Sequence, residues 1–136
     1  MIILLDTDVL IDVALDRAPH ADAAASLLDA VERRPGSGYV AWHTIANFYY
    51  LVAPSRGGQA TRAFVLDLVR FVEVAPTVTD SLRQAARLEM KDFEDAMQVA
   101  AADACGAEVI ATRNIRDYAK APIRVATPRA LVAELA

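Results

Sequence analysis

The chain opens with an apolar run, Ile2-Ile3-Leu4-Leu5, that stops on Asp6-Thr7-Asp8 and resumes as Val9-Leu10-Ile11. A run that is apolar at every position, without alternation, reads as a strand buried on both faces. Such strands belong to parallel sheets covered by helices, and open α/β sheets bind ligands at the rim formed by the carboxyl ends of their strands. A buried strand has little structural use for a terminal carboxylate. Asp6 therefore marks one sheet edge as a place for chemistry.

The rest of the chain alternates in the way such a sheet requires. Residues 2 to 5 read as the first strand. Helical spacing follows over 9 to 15, with Asp8 as its expected N-cap. A second helix begins after Pro19, carries Ala23, Leu27, Leu28 and Val31 at three- and four-residue spacing, and stops at Arg33-Arg34-Pro35-Gly36. A short strand is expected from Gly38 to Ala41. The next helix runs from Thr44 to Val52, ended by Pro54, with a flexible turn at Arg56-Gly57-Gly58. Helices are then expected over Thr61–Arg70, Thr79–Glu89 and Asp92–Cys105. Phe71–Val74, Val109–Ala111 and Ile123–Ala126 are the remaining strands. Asn114–Tyr118 reads as a turn or short helix, and Pro128 opens a terminal helix. Strands separated by helices of this length imply βαβ units, a parallel sheet and one α/β domain over residues 1–136.

Composition narrows the class. The 136 residues are 55% hydrophobic and 24% charged, which suits one folded domain with a real core. Cys105 stands alone, so an intrachain disulfide and a cysteine-based zinc site are both excluded. No stretch is apolar enough for a bilayer span, the N-terminus lacks the layout of a signal peptide, and a cytoplasmic location is the default expectation. The net charge of −4 argues weakly against a nucleic-acid partner. Acids gathered in a metal site, with basic residues elsewhere, remain compatible with one.

Asp6 has distant company. Asp95 lies in the first turn of an apolar helix, and Asp117 follows the strand Val109–Ala111. Parallel neighbours would bring all three to one sheet edge. Ionised carboxylates so placed repel, and a hard divalent cation with oxygen ligands removes that penalty. Each acid other than Asp6 also has an ordinary role to fill. Asp92 suits a helix cap, Glu94 suits the helix dipole, and Asp117 suits a turn. On residue type and spacing alone both readings stand.

Three segments carry a family resemblance. Leu4-Leu5-Asp6-Thr7-Asp8-Val9-Leu10-Ile11 resembles the opening of PIN domains. Asp92-Phe93-Glu94-Asp95-Ala96-Met97-Gln98-Val99-Ala100-Ala101-Ala102 resembles their later acidic helix. Ala111-Thr112-Arg113-Asn114-Ile115-Arg116-Asp117-Tyr118, followed by Ile123 to Pro128, resembles their closing strand, turn and strand. The order matches and the segments span nearly the whole chain. The resemblance implies a three-layer fold with a central parallel sheet flanked by helices. At this size it points to the VapC-like toxins of toxin–antitoxin pairs, which are Mg²⁺- or Mn²⁺-dependent ribonucleases. It also implies an RNA substrate, an antitoxin partner and a homodimer.

Carried over residue by residue, the resemblance makes Asp6, Asp95 and Asp117 the catalytic, metal-holding acids. Thr7, Asp8, Asp92, Glu94, Thr112 and Asn114 fall around them as supporting groups or weak ligands. Asn47 stands where the family commonly has a glutamate, which removes one negative charge. Glu94 or Asp92 is the candidate to restore it. Arg56, Arg113 and Arg116 are candidates to track an RNA backbone, with Lys120 and Arg124 nearby. Trp42, Phe48, Tyr49 and Tyr50 read as core or dimer surface. His43 shares a helical face with Asn47 and reads as a helix-start residue bonded to backbone.

Two other functions fit parts of the pattern. Asp6-Thr7-Asp8 resembles the nucleophile motif of haloacid-dehalogenase-like phosphatases, although Leu10 stands where that motif has Thr or Val. A catalytically weakened PIN scaffold, binding RNA or a protein without cutting, is kept open by Asn47.

Overall fold

A computed structural model describes all residues from Met1 to Ala136. Five short parallel strands form one sheet: β1 (Ile3–Leu5), β2 (Gly38–Val40), β3 (Val72–Val74), β4 (Val109–Ala111) and β5 (Arg124–Ala126), in the order β3-β2-β1-β4-β5. The helices between them are α1 (Thr7–Ala14), α2 (Ala21–Glu32), α3 (Trp42–Arg56), α4 (Gly58–Leu68), α5 (Thr79–Arg87), α6 (Phe93–Cys105) and α7 (Pro128–Leu135). The opening run is the central strand, and Ile3, Leu4 and Leu5 are all buried. Its side chains alternate between two cores. Ile3 and Leu5 pack with residues of α1, α2, α3 and α7, whereas Leu4 packs with Ile110 and the α6 residues Val99, Ala101 and Ala102. Helices thus cover both faces of the sheet, the three-layer α/β arrangement expected from the sequence.

The chain steps outward from β1 to β2 and β3, then crosses back to β4 on the other side of β1. The carboxyl ends of β1 and β4 flank the point where the winding reverses, the usual ligand crevice of such sheets. Register makes this local. Leu5 pairs with Ala111, so Asp6 and Thr112 leave the sheet side by side, and the Asp6 amide donates to the Ala111 carbonyl at 2.9 Å.

Two details depart from the sequence expectations. Asp6, rather than Asp8, is the N-cap of α1: its backbone is extended and its Oδ1 accepts from the Thr7 amide at 2.8 Å. The helix therefore begins two residues earlier, and Asp8 lies within it and is buried. Helix α3 also runs past Pro54 to Arg56. Proline removes one donor, but close to a helix end its lost bond costs little and the Gly57 amide still closes on the Ala53 carbonyl at 2.8 Å.

Two glycines are structurally required. Gly106 ends α6 in the left-handed conformation, φ 70°, which a side chain disfavours. At Gly38 the need is space: a Cβ there would stand 2.3 Å from Val31 Cγ1, so glycine lets α2 lie close on β2.

Candidate active site

The acids come to one place. A cleft of about 500 Å³ at the carboxyl end of the sheet is lined by Asp6, Asp8, Asp92, Glu94, Asp95 and Asp117, with Thr7, Asn47, Gln98 and Asn114 among the other polar groups. Arg17 is the one basic residue lining it. Four separate elements deliver these groups: the β1–α1 junction, α3, the start of α6, and the 3-10 turn Ile115–Tyr118 after β4. Six carboxylates against one guanidinium leave the cleft strongly acidic.

Asp6 is buried and fully engaged. Its Oδ1 accepts from the Thr7 amide and from Gln98 Nε2 at 3.0 Å, and its Oδ2 accepts from the Tyr118 hydroxyl at 3.0 Å. Gln98 Nε2 also donates to Thr44 Oγ1 at 2.7 Å. Burial and the charges of Asp6 and Asp95 hold the Tyr118 hydroxyl far above its ordinary pKa, so it stays a proton donor. Tyr118, Gln98 and Thr44 were not among the residues singled out from the sequence. The signal for Gln98 was present: one amide inside Ala96-Met97-Gln98-Val99-Ala100, three residues from Asp95 and hence on its helical face.

Asp8 serves a brace. Its Oδ2 accepts from Thr112 Oγ1 at 3.1 Å, the Arg113 amide at 3.2 Å and Asn114 Nδ2 at 3.0 Å, tying α1 to the segment after β4. Its Oδ1 is buried without a partner. Burial, then the charge of Asp6, raises the Asp8 pKa to about 6 against the lowering effect of those donors. Asp92 is the N-cap of α6 and accepts from the Asp95 amide at 3.2 Å. Asp95 is raised to about 7, chiefly by burial, then by Asp92 and Asp6, with Asp117 adding and the Tyr118 hydroxyl opposing. Asp117 is exposed at the cleft edge. On α3, Asn47 Nδ2 donates to Glu94 Oε1 at 2.8 Å. His43 has an Nε2 that is buried without a partner, and burial lowers its pKa while the charges of Glu94 and Asp6 oppose.

The basic residues divide. Arg113 pairs with the buried carboxylate of Asp12 at 2.7 Å, and Arg17 meets the same carboxylate at 2.8 Å. Arg56 donates to the Ala14 carbonyl at the end of α1. Arg124 pairs with Glu134. Arg116 is exposed beside Asp117. Asp12, the acid that organises two arginines, was also missed from sequence because it reads as one more polar residue on a helix.

A divalent cation is the natural partner of such a cleft. No group of three or more His, Cys, Asp or Glu side chains stands close enough together to hold one ready-made. The donor chemistry nevertheless fits: every lining acid offers hard oxygen, and two carboxylates are held above their ordinary pKa, first by burial and then by the charge of neighbouring acids.

Comparison with known proteins decides the family. The family model for the PIN domain matches residues 2–116. The chain belongs to the PIN domain family. Solved PIN-fold structures agree. VapC20 of Mycobacterium tuberculosis, described as a Sarcin-Ricin loop cleaving toxin, is 19% identical with a TM-score of 0.64 over 79% of this chain and 86% of its own. VapBC2 of Rickettsia felis, bound to a DNA fragment from its promoter, is 15% identical with a TM-score of 0.72 over 93% and 98%. FitAcB of Neisseria gonorrhoeae is 20% identical with a TM-score of 0.66 over 93% and 98%. At these identities the likeness is one of fold. No curated protein matches the chain. Membership in the PIN family sets aside the phosphatase reading of Asp6-Thr7-Asp8.

Proposed function

We propose that this PIN domain is a metal-dependent endoribonuclease and the toxin of a toxin–antitoxin pair. The observation that carries the reading is the gathering of six carboxylates in one cleft at the reversal point between β1 and β4. Asp6, Asp95 and Asp117 are the acids assigned to hold Mg²⁺ or Mn²⁺, with Thr7, Asp8, Asp92, Thr112 and Asn114 shaping their surroundings. When bound, the ion offsets charge on the scissile phosphate and lowers the pKa of water.

The chain's own groups prepare that chemistry. Tyr118 and Gln98 fix Asp6 from opposite oxygens, so its carboxylate does not reorient when substrate arrives. Asp92 caps α6 and fixes the backbone of Asp95. A phosphodiester would meet an acidic cleft; Arg116, exposed beside Asp117, is the basic side chain free to receive it, whereas Arg17 lines the same cleft but is held by Asp12. Water then attacks phosphorus in line, the P–O3′ bond breaks, and the products carry a 5′-phosphate and a 3′-hydroxyl. Arg113 and Arg56 act mainly in the fold, since each is already committed to a protein acceptor.

The partner half of the proposal has support of its own. An apolar groove of about 600 Å³ between α3 and α4 is lined by Trp42, Ile45, Tyr49, Tyr50, Val65 and Leu66, and Trp42 and Tyr50 are more than two thirds exposed. Exposed aromatics in a groove are typical of protein interfaces. An antitoxin and a second copy of the chain are the proposed occupants, in the cytoplasm where the RNA substrate resides. No helix is long and apolar enough to cross a membrane.

Incubation with structured RNA in Mn²⁺ or Mg²⁺ tests the reading. Wild-type protein cleaves, while EDTA or Asp6→Asn abolishes cleavage. Retained RNA binding without cleavage by the wild type would favour the weakened scaffold instead.

A further inference from the structure

Asn47 and Glu94 lie 47 positions apart in sequence and meet at the cleft mouth, one from α3 and one from the first turn of α6. The direction of their bond is informative. Asn47 presents Nδ2 to Glu94 Oε1 at 2.8 Å. An amide nitrogen cannot ligate a hard cation, so this contact makes Asn47 a donor that orients Glu94 and leaves only its Oδ1 able to ligate. The acceptor is an acid that lines the same cleft as Asp6, Asp95 and Asp117.

A second observation comes from the same helix and the same cleft. Gln98, one helical turn further along α6, is 2% exposed and also lines the cleft. Its Nε2 is fixed by Asp6 Oδ1 and Thr44 Oγ1, which leaves Oε1 buried and without a partner. A buried amide oxygen without a donor is costly, and a bound cation or its water shell would satisfy it.

We infer that Glu94 is a cation-holding acid of this cleft and that Asn47 is its positioning residue, so that the charge which the family resemblance expects on α3 is carried here by α6. The inference rests on the metal-dependent nuclease reading above. It assigns Asn47 an indirect role and Glu94 a direct one, and the two are separable by experiment.

Free Mn²⁺ is titrated by electron paramagnetic resonance with wild-type protein, E94Q, N47A, N47A/E94Q, N47E/E94Q and D6N, each checked for folding by circular dichroism. E94Q weakens Mn²⁺ binding roughly tenfold or more, and N47A by a smaller factor. N47A adds nothing further in the E94Q background, because Asn47 acts through Glu94. N47E/E94Q regains most of the lost affinity, because the charge returns to the cleft from the other helix. A purely structural role at the surface would give no such rescue. Wild-type affinity in E94Q, with binding lost in D6N, overturns the inference and leaves the nuclease reading intact. Failure of wild-type protein to bind Mn²⁺ overturns both.

Discussion

Asp6 shows how one residue can close a strand, cap a helix and anchor a site. Its two oxygens take the Thr7 amide, the Gln98 amide and the Tyr118 hydroxyl, and all three hold it where β1 leaves the sheet. Tyr118→Phe removes one of these donors with little change of shape. A hydrogen bond to a charged buried group is worth about 1.5–3 kcal/mol, so chemical denaturation should show a loss of that order. RNA cleavage should fall more steeply than RNA binding, because a loosened Asp6 affects the reacting geometry. Wild-type stability and turnover in this variant would show that the bond contributes nothing. The acid itself was legible in the sequence because a buried strand ends on it. Tyr118, Thr44 and Asp12 were not, because their roles depend on Asp6, Gln98 and Arg113, all distant in sequence, and nothing local marks a tyrosine after Asp117 as a ligand of Asp6.

At the scale of elements, sequence pattern carried most of the architecture. All five strands lie where apolar runs and breakers place them, and the family segments follow the order β1, α6, β4 and β5. The misreadings fall at helix ends. Asp6 and Asp8 are both plausible caps by residue type, and only backbone conformation separates them. Pro54 looks like a stop, yet a helix near its end tolerates the missing donor. Close packing between elements is the other thing a linear pattern conceals. Gly38 reads only as the first residue of a short strand, whereas α2 needs its empty position. Val31 is buried and stiff about χ1, so it cannot swing away from an added methyl. Gly38→Ala should therefore cost about 1–3 kcal/mol in thermal or denaturant unfolding, with the site's metal affinity unchanged once folded. An unchanged midpoint would contradict the account of α2 on β2.

The molecule as a whole gathers more negative charge at one sheet edge than its own cations balance. Asp8 and Asp95 have folded-state pKa values of about 6 and about 7, above the ordinary 3.8. Acids raised in this way hold extra protons in the folded state, so the stability they add is present at low pH and lost as pH rises through those values. His43, lowered by burial, acts in the opposite direction but only below its ordinary value of 6.5. Thermal melts in EDTA should accordingly show the melting temperature falling as pH rises from about 4 to about 7, less steeply below 6.5 where His43 opposes, and levelling off above. Mn²⁺ should reverse the loss, most strongly at the upper end, since it binds the ionised site. A midpoint that rises with pH in EDTA would mean that the cleft charges are compensated from within.

The central claim is hydrolysis of RNA by water at this cleft, and the chemistry of the product ends tests it most directly. RNA is cleaved in Mn²⁺ by wild-type protein and by Asp6→Asn prepared in parallel, and the new termini are identified by enzymatic end-labelling. The account predicts 5′-phosphate and 3′-hydroxyl ends from the wild type and none from the variant. Ends bearing 2′,3′-cyclic phosphate, or equal cleavage by both proteins, would contradict it.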